Sequence, residues 1–282
     1  MASSSHPPNV LITGASSGIG KATALHLARK GYRVAATSRE LLRLSELTAA
    51  ATAESLTVSP FQLDINDPTE VEKTMPTILE QVGELTGLIN NAGYGLWGCL
   101  EELTYAEVKA QFDTNLFAAL TMSQAVLPHM RARGSGTIIN VGSVVGQLPI
   151  PAAGAYCASK FALEGLSRVM RMEVAPFGVR IAIIEPGLFR TSFHVNRVFG
   201  ERVVSTESPY YPYIQNIWKN SSSVQRWAAD PTKVAKLIEK VLRAKRTRPS
   251  YTVGIDAGLG ILARRLVPDG LAEFVTKRVA GR

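Results

Sequence analysis

Residues 10–20 read Val10-Leu11-Ile12-Thr13-Gly14-Ala15-Ser16-Ser17-Gly18-Ile19-Gly20, a short apolar strand running into a glycine-rich turn. Ala22, Leu25, Leu27 and Ala28 follow at the spacing of a helix packed along one side. Strand, turn and helix in this order suit a dinucleotide. Glycines without a Cβ let the backbone bend tightly and approach a pyrophosphate, while the free N–H groups and dipole at the helix start stabilise its charge. The same string also serves as a plain strand-to-helix connection, so its meaning depends on what surrounds it.

Further apolar runs occur at Arg33–Thr37, Val58–Leu63, Leu88-Ile89, Thr137–Val141, Arg180–Ile184 and Tyr251–Val253, alternating with longer segments of helical period. Seven strands spaced by helices predict an α/β protein with a doubly wound parallel sheet covered by helices on both faces. Gly31 stops the first helix, Pro68 opens another, Thr104 with Glu107 reads as a capping box, and Asp230-Pro231 starts a late helix. From Leu188 to Ala229 the alternation lapses into a stretch rich in Phe, Tyr, Ser and Trp, read as a partly helical insertion or lid. No interdomain linker interrupts the chain. One domain over residues 1–282 is expected, with the insertion at about 188–229 and a basic extension at about 257–282.

With 46% hydrophobic and 19% charged residues among 282, the chain is neither disordered nor fibrous. Its two cysteines, Cys99 and Cys157, exclude a disulfide scaffold and a Cys-rich zinc site, so a reducing cytoplasmic setting without metal is expected. The opening MASSSHPPN lacks the pattern of a secretory signal, and no run reaches the roughly 18 apolar residues of a membrane span. Most of the net charge of +8 sits at one end, since residues 240–282 hold ten Lys/Arg against three Asp/Glu. That tail reads as a solvated face or as a peripheral surface for anionic lipid or an acidic partner. No nucleic-acid motif accompanies it.

The second strand ends Ala36-Thr37-Ser38-Arg39, where an acid would bind the ribose 2′-hydroxyl of NAD. Ser38 removes the carboxylate that would repel a 2′-phosphate, and Arg39 can pair with that phosphate in charge-assisted fashion. NADP(H) is expected over NAD(H), against the plainer reading of Arg39 as a surface charge. Further on, Tyr156-Cys157-Ala158-Ser159-Lys160 places a phenol and an ammonium one helical turn apart. Such pairs are common on helix surfaces. In a cofactor cleft, however, the Lys160 cation, together with the positive nicotinamide ring of an oxidised cofactor, would favour the phenolate and lower the pKa of Tyr156, making it an acid/base. Ser143, just past the strand Thr137–Val141, would hydrogen-bond a substrate carbonyl oxygen where negative charge develops.

Together these residues resemble the short-chain dehydrogenase/reductase family, in its short members with a TGxxxGxG turn and a YxxxK pair, over roughly residues 9–260. The resemblance implies a Rossmann fold and hydride transfer between a nicotinamide and a carbonyl carbon. It implies a tetrad of Asn115, Ser143, Tyr156 and Lys160, with Asn115 holding a proton-relaying water and Lys160 binding the nicotinamide ribose. It places Gly14, Ser16, Ser17, Gly18, Ile19 and Gly20 on the cofactor phosphates and Asn91, Ala92 and Gly93, after Asn90, near the adenosine ribose. Asp64 is implied at the adenine, and Pro186, Gly187 and Thr191 near the carboxamide or a phosphate. A homo-oligomer is implied as well.

Ligands of open α/β sheets bind beyond the carboxyl ends of the strands, so Leu96, Trp97, Val145, Leu148, Phe189 and Phe193 are expected as pocket walls, with Tyr210, Tyr211, Tyr213 and Trp218 nearby. That surface suits a lipophilic ketone or aldehyde and its alcohol, steroid- or retinoid-like, long-chain acyl or xenobiotic. The GYGLWG stretch and the Pro-Gly-Leu-Phe-Arg-Thr turn are similar to the 17β-hydroxysteroid and retinol dehydrogenase branch. Two rival readings are an acyl-carrier-protein reductase, which a basic face would suit, and a protein that senses NADPH without turning it over. In the segment 261–282, leucines and Phe274 alternate with basic residues, as in short amphipathic helices at a membrane interface, with Pro268 breaking any long one.

Overall fold

The computed structural model describes residues 8–194, 197–224 and 228–254, with positions 257, 258, 260, 261, 267 and 270 beyond them. The chain runs β1 (Asn9–Ile12), α1 (Gly18–Arg29), β2 (Arg33–Ser38), α2 (Ser45–Ala53), β3 (Val58–Gln62), α3 (Pro68–Val82) and β4 (Leu85–Asn90). Next come β5 (Leu96–Trp97), α4 (Tyr105–Phe112), α5 (Ala118–Arg133), β6 (Gly136–Val141), α6 (Gly154–Val174) and β7 (Val179–Pro186). They are followed by β8 (Val198–Phe199), α7 (Tyr211–Val224), α8 (Thr232–Arg243) and β9 (Ser250–Val253).

Seven strands form one parallel sheet in the order β3-β2-β1-β4-β6-β7-β9. All seven expected strands are present, and the architecture is the doubly wound Rossmann type. The chain winds outward from β1 to β3, then returns to β4 on the other side of β1. Between the carboxyl ends of β1 and β4 lies the crevice of such a switch point.

Side chains alternate along each strand, so Val10, Ile12, Val34 and Ala36 face one way and Leu11 and Ala35 the other. The first set packs against Leu27 of α1 and Val234, Ile238 and Val241 of α8. The second packs against Val71, Met75 and Ile78 of α3 and Met122, Val126 and Met130 of α5. Both faces are therefore apolar, which explains the unbroken hydrophobic runs. Pro60 lies inside β3, which tolerates it because β3 is an edge strand and needs no N–H on its open side.

The helix starts follow their sequence signals. Asp67 accepts hydrogen bonds from Thr69 N (2.9 Å) and Glu70 N (3.3 Å) ahead of α3. Thr104 and Glu107 cap α4 reciprocally, at 3.2 and 2.7 Å. Asp230 accepts from Thr232 N at 2.8 Å.

Residues 188–229 leave the sheet and return to it. At the base of this segment Ala229 N donates to Leu188 O at 2.9 Å and Arg190 N donates to Ala229 O at 2.8 Å, on either side of Phe189. Farther out, β8 pairs in parallel with β5 as a two-residue sheet, and α7 is helical. Neither β5 nor β8 was foreseen from the sequence. Among the described residues no helix is long and apolar enough to cross a membrane. Most of the basic extension, with its expected amphipathic helices, lies outside the described residues, as do the side chains of Trp218 and its helical neighbours to 224.

Candidate active site

The sheet's carboxyl edge opens into a cleft of about 880 Å³. Gly14, Ser16, Ser17, Gly18 and Ile19 line one end, and Ser143, Tyr156 and Lys160 the other. Gly14 has φ +62°, and a Cβ there would lie 2.8 Å from Ala92 Cα. A Cβ on Gly20 would run into the carbonyl oxygen of Gly14. Only glycine lets turn, helix and β4 loop meet this closely. Ser17, the N-cap of α1, uses no side-chain hydrogen bond to cap the helix, and no acid occupies the first turn. Ser17, Gly18 and Ile19 line the cleft, so the first N–H groups of the helix are available there to phosphate oxygens. The cradle therefore fits a dinucleotide.

Thr13 and Asn91 brace this cradle. Thr13 Oγ1 accepts from the N–H of Asn91 (3.0 Å) and Ala92 (3.1 Å), and Asn91 Nδ2 donates to the carbonyls of Thr13 and Gly14, both at 3.0 Å. Thr191 stands across the turn, 3.2 Å from where a Gly18 Cβ would be. Pro186, Gly187 and Gly93 also line the cleft. Asp64 does not reach it: its carboxylate accepts from Asn66 N at 3.0 Å, and Leu63, Ile65 and Asn66 form the wall instead.

At the end of β2, Ser38 is buried and Arg39 exposed, both on the cleft. Arg43, not singled out from the sequence, lines the same corner one turn later and pairs with Glu40 at 3.2 Å. The signal was the Arg39-x-x-x-Arg43 spacing.

At the other end, α6 turns Tyr156, Ser159 and Lys160 inward, with Tyr156 7% and Lys160 5% exposed. Lys160 Nζ donates to the carbonyl of Val141 at 2.8 Å. Asn115 lies in a π-helical turn, Asp113–Phe117, between α4 and α5. Its amide accepts from Tyr94 N (3.1 Å) and donates to Tyr94 O and Ser159 Oγ (both 3.0 Å). Asn115 and Lys160 meet at Gly93, where a Cβ would be 2.9 Å from Asn115 Oδ1 and 3.7 Å from Lys160 Nζ.

Lys160 and the positive ring of an oxidised nicotinamide were expected together to lower the pKa of Tyr156; in the protein by itself burial dominates and the direction is upward. Burial pushes the phenol up to about 12, and the Ser143 hydroxyl beside it offsets only part of that. Burial also lowers Lys160 to about 8. Desolvation penalises the charged form of each, the phenolate and the ammonium.

Of the expected pocket walls, Trp97, Val145, Phe189 and Phe193 line the cleft. Phe193 of the insertion packs on Tyr156, ring centroids 5.5 Å apart. Two expectations are corrected. Leu96 is 1% exposed and points into the core, because adjacent strand residues alternate and Trp97 takes the cleft side of β5. Leu148 follows the turn after Ser143 and packs toward Gly260, whose Cβ would be 2.8 Å from its Cδ1. Tyr210 bonds Glu101 and joins a satellite cluster with Ile214 and Val203; Tyr211 and Tyr213 are half-buried, and none of the three lines the cleft. Tyr94, Ile150 and Val198 do, and were missed.

This geometry has close counterparts. The short chain dehydrogenase family model matches residues 8–200. The 3-ketodihydrosphingosine reductase of Bacteroides thetaiotaomicron is 33% identical over 275 residues, covering 96% of this chain and 97% of that protein. The 17-beta-hydroxysteroid dehydrogenase type 1 of Homo sapiens is 36% identical over 281 residues, covering 95% of this chain and 83% of its own length. A crystal structure of a short-chain dehydrogenase from Streptomyces avermitilis superposes with a TM-score of 0.82 at 32% identity, over 97% of this chain and 96% of that one. A glycine cradle and a Tyr-Lys helix on one cleft, matched over more than half the chain, make this protein a member of the short chain dehydrogenase family of oxidoreductases.

Proposed function

We propose that the protein is an NADP(H)-dependent oxidoreductase that interconverts a lipophilic ketone or aldehyde and its alcohol. The observation that carries this is one continuous cleft lined by the glycine cradle, by Arg39 and by Ser143, Tyr156 and Lys160. When bound, the nicotinamide supplies or accepts the hydride. The chain positions and polarises. The first turn of α1 would hold the pyrophosphate, Ser38 and Arg39 the 2′-phosphate, and Lys160 the nicotinamide ribose. Ser143 hydrogen-bonds the substrate oxygen, and Tyr156, a phenol protonated at neutral pH, gives that oxygen a proton in the reducing direction.

Aromatic and aliphatic walls at Tyr94, Trp97, Val145, Ile150, Phe189 and Phe193 exclude water and favour an extended apolar substrate. The relatives named for 3-ketodihydrosphingosine and 17β-hydroxysteroids act on substrates of that character. A homo-oligomer, and peripheral membrane contact through the basic extension, belong to the same reading.

The test is NADPH oxidation with ketosteroids, retinal, 3-ketoacyl compounds, acyl-carrier thioesters and aromatic aldehydes, with NADH as control. Lipophilic free carbonyls should rank first with NADPH. Tyr156→Phe should bind NADPH as before and lose about 10²–10⁴ in turnover. Full activity in that variant refutes the proton-donor role.

A further inference from the structure

Glu185, near the end of β7, is a carboxylate 2% exposed. Its two oxygens accept from Gln147 Nε2 and from Thr252 Oγ1 of β9, the latter at 3.2 Å. It makes no ion pair among the described residues. The acidic group facing it from α6 is Glu164, which burial and then Glu185 itself push up. A carboxylate in such a place costs stability unless its hydrogen bonds hold.

Gln147 closes the turn that starts at Ser143. Gly146 N donates to Ser143 O at 2.9 Å, Gln147 N to Val144 O at 3.0 Å, and Val145 N to Ser143 Oγ at 3.3 Å. Just before the turn, Gly142 N donates to Ile184 O at 2.7 Å. Consecutive residues of β7, Ile184 and Glu185, therefore hold both ends of the segment 142–147. From the other side α6 presses on it, because a Cβ on Gly146 would lie 3.0 Å from the carbonyl oxygen of Lys160. The turn is wedged between the strand and the helix that carries Tyr156.

We propose that Glu185 is a positioning residue which, through Gln147, fixes the 143–147 turn so that the Ser143 hydroxyl stays beside Tyr156 and over the substrate oxygen. This rests on the reading of Ser143 and Tyr156 given above. Neither Glu185 nor Gln147 lines the cleft, so cofactor binding should be indifferent to both.

A reversal of the pair tests it. Gln147→Glu sets carboxylate against carboxylate and should lower kcat by about tenfold or more, since small misplacements of a reacting group are that costly. NADPH affinity should stay within about twofold of wild type, because such distant effects are normally additive and small. Adding Glu185→Gln restores one donor and one acceptor and should bring kcat back to within about threefold, a coupling that independent sites do not show. Amide hydrogen exchange at 145–147 should quicken in Gln147→Glu and slow again in the double variant. If Gln147→Glu does not fold, Gln147→Met removes the bond without adding charge and should show the same fall in kcat and quickened exchange.

Wild-type kcat and exchange in these single variants overturn the proposal, as does a folded double variant as slow as Gln147→Glu. A wild-type protein that reduces no carbonyl while exchange still responds to the swap refutes the enzymatic reading and leaves the clamp on the turn supported.

Discussion

Residue by residue, the site is governed by desolvation. Lys160 is a buried ammonium whose folded pKa, about 8, lies below its ordinary 10.5. Between those values the unfolded chain binds more protons than the folded one, so stability rises with pH across that window and carries the full penalty below it. The stability of wild type relative to Lys160→Met should therefore improve by on the order of 3 kcal/mol from pH 8 to 10.5, read from urea unfolding at each pH. Tyr156 runs the other way. Its pKa is raised from 10.0 to about 12, so the unfolded chain loses its proton first and stability falls as pH rises through that range. At the opposite end of the cleft, Arg39 is exposed and no carboxylate pairs with it among the described residues. Arg39→Asp should lower the preference for NADPH over NADH by about 10–100-fold in kcat/KM, the worth of one or two charge-assisted hydrogen bonds. An unchanged ratio would move the selection to Arg43.

Among the elements, helix starts and short strands place the chemistry. The capping box of Thr104 and Glu107 fixes the entry of α4, which leads directly into the π turn of Asn115. Thr104→Ala should cost about 1 kcal/mol, seen as a fall in Tm of about 2–4 °C by calorimetry. The caps were legible because they depend on residues three apart. The π turn was not. Its extra residue is held by Asn115 bonds to Tyr94 and Ser159, which come from 21 and 44 positions away. The pairing of β5 with β8 was equally hidden, since two-residue strands carry no readable period and their partners lie about a hundred residues apart.

For the whole molecule, the exposed face of α6 is the feature the fold leaves open. Phe161, Val169 and Met172 are 44, 49 and 68% exposed, and Gly165 between them has open space where a Cβ would be. An apolar stripe of this kind commonly marks contact between copies. The proposed homo-oligomer, formed through this face, predicts that Val169→Glu with Met172→Glu lowers the molar mass measured by light scattering while NADPH binding persists; an unchanged mass refutes contact between copies through this face. The seven strands, the glycine turn and the Tyr156-Lys160 pair could be read from the chain itself, because each is a local pattern of apolar period, missing Cβ or helical spacing. Only the tertiary structure decided that Trp97 rather than Leu96 meets the cleft, that burial raises Tyr156, and that Glu185 grips Gln147. Each of these depends on which distant segments pack together, and the local sequence does not encode that.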